Sequence, residues 1–478
     1  MQFFEAIYLI TTFLLLIAIS FLGNKRLQII FFRISVIFLI VHFLLEIARW
    51  QIGFTYLLWI VLALLILKQS RTYLVFRIIG FTIGLLIIST SVFYAIEMPI
   101  IKLPEPAGSF KVGNSSFIIT DNSREETHSI EHNDKRELFV EVWYPADLEG
   151  IQVPSEKKLW EELYIGDLDR VSFFMNYLKG ISTHSFQDVP ADLKHGPYPV
   201  ILFNHAMQMF TSQNTLLMEH LASNGYVVVS IAHPYESLRV NLGERTVLPP
   251  FITSREKFNE AMVWIEKSSN PIEVAKDSMT NVQEREERGK IMLNAIKNSE
   301  MNLVVSEWVK DNTFVLDILT SDNDYIFNEI LDTTRIGVMG MSIGGATAGE
   351  MCKIDRRVKA GINVDGLQYG MNNHIGLEVP FMMMYSDDGA GVNDFLYVDS
   401  KAEYHELHFR NARHADFTDM VLIWPIMKIA GQSGSIPPKQ MIPLTNKKIL
   451  DFWEYVFKNA SNPYESSPDI VYSFKPKE

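Results

Sequence analysis

The stretch Arg335 to Met351 reads RIGVMGMSIGGATAGEM and holds Gly340-Met341-Ser342-Ile343-Gly344, a G-x-S-x-G motif. An apolar strand-like run precedes it and a helix-forming run follows. A serine on so sharp a strand-to-helix turn has its hydroxyl thrust outward, and small neighbours allow the close backbone approach that the turn demands. The N–H of Ile343, at the helix N-terminus, would face the oxyanion that forms when Ser342 attacks a carbonyl. That is acyl-transfer chemistry. The motif alone is a weak signal. Its strand, its helix and the extra Gly345 weigh against the plain alternative, a glycine-rich turn with an inert serine. Serine at neutral pH also needs a base, and the base needs an acid to orient it.

The elements around the motif decide where those partners can sit. Strand-like runs occur at Leu138–Tyr144, Val200–Asn204, Tyr226–Ala232, Arg335–Gly340, Ala360–Val364, Pro380–Tyr385 and Tyr404–Phe409, separated by helical stretches. Several are continuous rather than alternating, as parallel strands buried on both faces are. The pattern predicts an α/β protein with a mostly parallel sheet, and with the serine turn an α/β-hydrolase fold. There the order is nucleophile, acid, histidine, which confines the base to His374, His405, His408 or His414. His405 and His408 lie inside a strand-like run (YHELHF), and His374 precedes the strand PFMMMY. His414 follows the last strand in a loop, RNARHADFTD, where a base belongs. The acid stays open on position alone: Asp365 ends GINVD, while Asp387 and Asp388 follow MMMY, the commoner place. A charged stretch from about Phe251 to Asn323 reads as a helical insertion with a solvated face, and long insertions of this kind can act as lids.

The front of the chain is of another kind. Four apolar runs, Ala6–Leu22, Leu27–Leu45, Ile52–Leu67 and Leu74–Ile96, compare with the roughly 17–25 residues needed to cross a bilayer, the third being marginal. No basic segment precedes the first run and no small-residue cleavage site follows it, which argues against a signal peptide. Lys25 and Arg26, and Lys68 and Arg71, mark two connections as cytoplasmic, so both ends of a four-span region face outward. His42, Glu46 and Arg49, at the end of the second run, read as interfacial anchors rather than an ion pathway. The expected organisation is a transmembrane region at 1–101, a Pro- and Gly-bearing linker at 102–113 (KLPEPAGSFKVG) and a catalytic domain at 114–478 on the extracytoplasmic side. The net charge of −13 is concentrated in that domain and excludes nucleic acid as a natural partner. A single cysteine, Cys352, excludes an intrachain disulfide and a cysteine-rich zinc site. No metal or cofactor is expected.

From about Leu103 to Asp419 the chain resembles the platelet-activating factor acetylhydrolases of the plasma and type II group and their bacterial relatives. The resemblance is carried by LPEPAGSFKVG, VEVWYP, VILFNHAMQ, GMSIGGAT, AGINVDGLQYG, VPFMMMYS and ARHADFTD. It implies a calcium-independent serine esterase acting on short or oxidised acyl chains of phospholipids. It also implies Asp365 as the acid beside Ser342 and His414, and the backbone N–H of Met207 as partner to that of Ile343 in the oxyanion hole. Two positions depart from the family pattern: Ala206 stands where glycine is usual, and Met341 where histidine is usual. A glycine requirement for positive φ at Ala206 would put the oxyanion geometry in doubt. His205 and His233 read as structural residues near the cleft. Met207, Met209, Met371 and Met382 to Met384 could line an acyl pocket, although strand core is the simpler reading of the MMM run. The alternatives to this activity are a general carboxylesterase and a catalytically silent membrane protein that only binds ligand. Oligomeric state is not legible.

Overall fold

The computed structural model describes residues 1–68, 73–129, 134–250, 282–321, 327 and 329–477. Helices α1 (Phe3–Phe21), α2 (Lys25–Leu45), α3 (Gly53–Lys68) and α4 (Leu74–Glu97) form an N-terminal bundle. With the short turn Trp50–Ile52 added to α3, they measure 19, 21, 19 and 24 residues at mean hydropathy 2.1, 2.3, 2.1 and 2.0. Each is long and apolar enough to cross a membrane. That turn supplies the length the third apolar run lacked. The outer surface is apolar too, with Leu44, Phe54 and Leu67 all strongly exposed.

The bundle end nearest the rest of the chain is polar inside. Arg49 grips Glu5 of α1 through Nη2 and Nε (2.7 and 2.8 Å) and donates to the carbonyl of Ala95 in α4 (3.2 Å). The Glu46 carboxylate accepts the free N–H groups of Phe4 and Glu5 at the start of α1, both at 2.7 Å. His42 bridges Glu46 (2.9 Å) and Tyr56 of α3 (2.7 Å). The expectation of interfacial anchoring is therefore corrected. His42 and Arg49 are buried, and they pair across helices because an ionisable group in an apolar bundle needs a partner there rather than water.

Thirteen strands follow among the described residues. They are β1 (Lys111–Glu125), β2 (Lys135–Ala146), β3 (Glu156–Lys158), β4 (Ser182–Gln187), β5 (Tyr198–Asn204), β6 (Val227–Ile231) and β7 (Val240–Asn241). Then come β8 (Thr246–Val247), β9 (Leu331–Met341), β10 (Val358–Val364), β11 (Phe381–Tyr385), β12 (Tyr404–Phe409) and β13 (Ile470–Lys475). Eleven build one sheet in the order β13-β12-β11-β10-β9-β5-β6-β2-β1-β4-β3. From β6 through β5, β9, β10 and β11 to β12 every pairing is parallel, and antiparallel strands flank this centre. The expected linker ends inside β1, which begins at Lys111.

Central strands are apolar on both faces because helices cover both. Along β5, Val200 and Leu202 point to one core, and Ile201 and Phe203 to the other, as a period of two requires. The longer helices here, among the described residues, are α5 (Thr215–Ser223), α6 (Val282–Ile296), α7 (Met301–Leu319), α8 (Ile343–Ile354) and α9 (Pro438–Lys458). The first core receives α7 and α8 through Val305, Trp308 and Ala346; the second receives α5 and α9 through Leu217, Phe452 and Trp453. This is the α/β-hydrolase arrangement, preceded by four long apolar helices. Of the expected insertion, residues 251–281, 322 and 323 lie outside the described residues. In α7, Glu307, Lys310 and Asp317 lie on the solvated face that the charge suggested, but Asp311 and Asn312 are buried against the sheet.

Candidate active site

Ser342 stands where β9 ends and α8 begins, at φ 58° and ψ −120°. That backbone costs a residue with a side chain on the order of 1–3 kcal/mol and persists only where the surroundings impose it. The two motif glycines impose it. A Cβ on Gly344 would lie 2.2 Å from the carbonyl oxygen of Asn204, and one on Gly340 would lie 2.3 Å from the backbone of Gly344. The Ser342 N–H donates to the carbonyl of Val364 (2.8 Å), which ties the turn to the residue preceding Asp365.

Asp365, just past β10, is itself at φ 53° with its carboxylate buried. One oxygen accepts the N–H of Ser386 (2.7 Å); the other accepts the Ser386 hydroxyl (2.8 Å) and His414 Nδ1 (2.8 Å). A carboxylate only accepts, so the proton sits on Nδ1 and leaves Nε2 for chemistry. His414 opens the short turn His414–Phe417, which is held by Asp416: its carboxylate accepts from Arg413 N–H (2.8 Å), Gly434 N–H (2.7 Å) and Ser433 Oγ (2.6 Å). The imidazole is 47% exposed. Desolvation by the atoms around the ring lowers its pKa, but the Asp365 hydrogen bond and charge, helped by Asp388, outweigh this and raise it above 6.5.

The other candidates are engaged elsewhere. Asp387 accepts from His408 Nε2 (2.8 Å) and Asn411 N–H (2.7 Å). His405 is buried among aromatic rings with Nδ1 on the Tyr472 hydroxyl (3.0 Å), and His374 lies exposed. The geometry thus joins His414 to Asp365 and not to Asp387. It does not join Ser342 to His414: among the described residues the Ser342 hydroxyl makes no hydrogen bond. Such contacts are often long before substrate binds.

Met207 and Ile343 both carry backbone N–H groups that donate to nothing among the described residues. Ala206 does not adopt positive φ. The left-handed residue in this loop is Gln208, at φ 60°, so alanine fits where the family usually has glycine. The Gln213 side chain fixes the loop by accepting Ala206 N–H (2.9 Å). His205 and His233 are fully buried, as structural residues should be. His205 bridges the Ala206 carbonyl (2.7 Å) and Ser237 Oγ (2.8 Å), and burial beside His233 pushes its pKa down to about 3. Met382 to Met384 are sheet core, and Met371 is exposed.

Sequence reasoning missed Ser386. It directly follows the MMMY strand, and a small polar residue at a strand end beside the acid was the available signal. It also missed the polar cluster of Asp311, Trp308 and Glu236 behind His233, which no spacing in the sequence announces.

A family model described as platelet-activating factor acetylhydrolase, isoform II, matches residues 95–466. The chain belongs to that family. Among curated relatives, the platelet-activating factor acetylhydrolase of Cavia porcellus is 24% identical over 333 residues, 66% of this chain and 71% of that one. The corresponding protein of Gallus gallus is 22% identical over 340 residues, 66% and 76% of the two chains. A ferulic acid esterase from Streptomyces cinnamoneus superposes with a TM-score of 0.58 at 23% identity, covering 78% of this chain and 98% of that structure, which is a likeness of fold. This acetylhydrolase relative is accordingly an ester hydrolase by family. Its family region starts near the end of α4, so the helical bundle lies almost wholly outside the match.

Proposed function

We propose that the chain is a membrane-anchored serine ester hydrolase that removes short or oxidised acyl chains from phospholipids. The observation that carries this reading is the 2.8 Å contact between His414 Nδ1 and the buried Asp365 carboxylate beside a serine on a positive-φ turn. Ser342 Oγ attacks the ester carbonyl and gives its proton to His414 Nε2. Asp365 keeps the imidazole in the Nδ1–H tautomer and stabilises the imidazolium. The N–H groups of Met207 and Ile343 receive the oxyanion. His414 then protonates the leaving alcohol, and water repeats the sequence on the acyl-enzyme to release the acid. No metal or cofactor has a part in this scheme.

Membership of the platelet-activating factor acetylhydrolase family supports a phospholipid as the substrate class. Residues 1–101 serve as the anchor and residues 114–478 as the catalytic domain, on the extracytoplasmic side by the distribution of Lys25, Arg26, Lys68 and Arg71. The test is Ser342→Ala against 2-acetyl, 2-butyryl and long-chain phospholipids beside p-nitrophenyl esters, with fluorophosphonate labelling of the wild type. Labelling and short-chain phospholipid turnover that vanish in the variant are expected. Equal or faster turnover of the simple esters would assign a general carboxylesterase, and an unlabelled Ser342 in folded protein a silent ligand-binding domain.

A further inference from the structure

A cavity of about 1050 Å³ opens between the segment that leaves α4 and the catalytic domain. It exceeds the roughly 300–1,000 Å³ of small-molecule sites. Ile101, Leu103, Leu216, Val421 and Ile442 wall it with apolar surface. Lys102, Lys428 and Lys439 line it together with one acid, Glu105, which lies 3.6 Å from Lys102. Lys428 and Lys439 are exposed and form no ion pair among the described residues. None of the lining residues is Ser342, Asp365, His414, Met207 or Ile343.

Position says what would fill it. The lining begins at Pro99, just past the end of α4. Met98, Ile100 and Ile101 of the exit segment pack with Val421, Trp424 and Met427 into one apolar cluster, so the cavity wall continues the contact between bundle and domain. Nearby, Trp50 of the bundle donates to the carbonyl of Phe174 (2.9 Å) and their rings meet edge to face. An apolar recess beside the last apolar helix, with surplus lysines on a domain that is otherwise acidic, matches an acyl chain below an anionic headgroup.

We propose that this cavity binds one anionic phospholipid of the surrounding bilayer, as a site separate from the one where ester is cleaved. The proposal rests on the membrane reading of α1 to α4. Ser433 on the cavity wall donates to Asp416 (2.6 Å), which holds the turn that carries His414, so the lipid would brace the base through one side chain.

The experiment is native mass spectrometry of the full chain in detergent, titrated with phosphatidylglycerol or phosphatidylcholine. It compares wild type, Ser342→Ala and the double variant Lys428→Glu/Lys439→Glu, whose changes lie on the exposed surface and whose folding a melting curve checks. Expected is a preference for phosphatidylglycerol on the order of 30-fold in wild type and Ser342→Ala, lost in the double variant. Equal retention of the two lipids by the wild type, or an unchanged preference in the double variant, overturns the proposal. So does equally tight, lysine-dependent retention of oleate, which would give the cavity to a released fatty acid. Loss of the preference in Ser342→Ala alone would place the lipid in the cleavage site. Extraction of the chain from membranes by alkaline carbonate would sink the anchoring as well, whereas failed lipid binding by a carbonate-resistant chain sinks only this site.

Discussion

Two histidine–aspartate pairs in this fold have the same length and opposite situations. His414 and Asp365 meet at 2.8 Å, and so do His233 and Asp311. At the first pair the ring lies at the surface, its partner carboxylate is steadied by Ser386, and no neighbour among the described residues takes Nε2. At the second pair the ring is fully buried, stacked on Trp308 at 3.8 Å, with Nε2 closed by Asn204 at 3.2 Å. Asp311 also serves Arg136 (2.7 Å) and Arg124 (2.8 Å). Desolvation lowers the His233 pKa to about 4 despite its hydrogen bond, while that of His414 is raised. The pair geometry alone therefore does not make a base. What matters is a second nitrogen that substrate can reach and a charge state that can change near neutral pH.

The comparison breaks most visibly at His414. His414→Ala should lower kcat by roughly 10⁴–10⁶-fold, since the nucleophile loses its proton acceptor. The thermal midpoint should barely move, because the ring is half exposed. Steady-state kinetics beside a melting curve checks both, and an active His414→Ala enzyme would end the assignment. Asp365→Asn should follow with a loss of about 10⁴-fold in kcat, the imidazole being turned to the wrong tautomer while the fold survives. In the free wild-type enzyme, kcat/KM should fall on acidification as His414 gains a proton. The raised pKa sets this limb above the 6.5 of an unperturbed histidine, and a pH–rate profile reads it.

Residue order pointed to one histidine of the surface pair, His414, and hid the buried pair. Ser342 stood out by its G-x-S-x-G motif and His414 by its place after the last strand-like run, and the seven strand-like runs correspond to β2, β5, β6 and β9 to β12. β1 was not legible because polar residues crowd both sides of its short apolar run, Phe117 to Ile119. Position could not separate Asp365 from Asp387, because what separates them is Ser386 and His408, partners contributed by neighbouring strands. Asp311 and Asn312 looked solvated since charge in a helix usually is; only the packing of α7 on the sheet turns them toward Arg136 and Asn204. Hydropathy reads the average face of a helix and misses the few polar groups buried with partners.

His233→Ala should invert the pattern at the surface pair. It removes a buried hydrogen bond and a ring stacked on Trp308, a cost of about 2–3 kcal/mol in stability, with turnover per labelled Ser342 falling less than about tenfold. Its pH dependence has a fixed sign. His233 is neutral in the folded chain and free to protonate once unfolded, so its stabilising contribution is complete above 6.5 and fades as pH falls toward about 4. His205 acts in the same direction, whereas buried Glu236, raised to about 7, favours the folded state at low pH. The difference between wild type and His233→Ala across pH 4 to 6.5 isolates the His233 term. Urea midpoints that stay parallel over that range would mean that His233 is not held neutral.

The smallest effect is expected at a third pair, Asp387 and His408, which tests whether the acid has been chosen correctly. The 2.8 Å contact is partly exposed, with 48% of the Asp387 side chain open to solvent. Exposed ion pairs contribute about 0–1 kcal/mol, so Asp387→Asn should leave the unfolding midpoint nearly in place. Turnover should change by less than about threefold, because His414 keeps Asp365 and its tautomer. The neighbouring Asp388 adds only its charge to the pKa of His414, so Asp388→Asn should shift the acid limb of the rate profile to lower pH without lowering the plateau. A loss of about 10⁴-fold in Asp387→Asn, with Asp365→Asn nearly intact, would reverse the assignment. It would require His414 to swing from the Asp365 carboxylate to that of Asp387, displacing His408 from it.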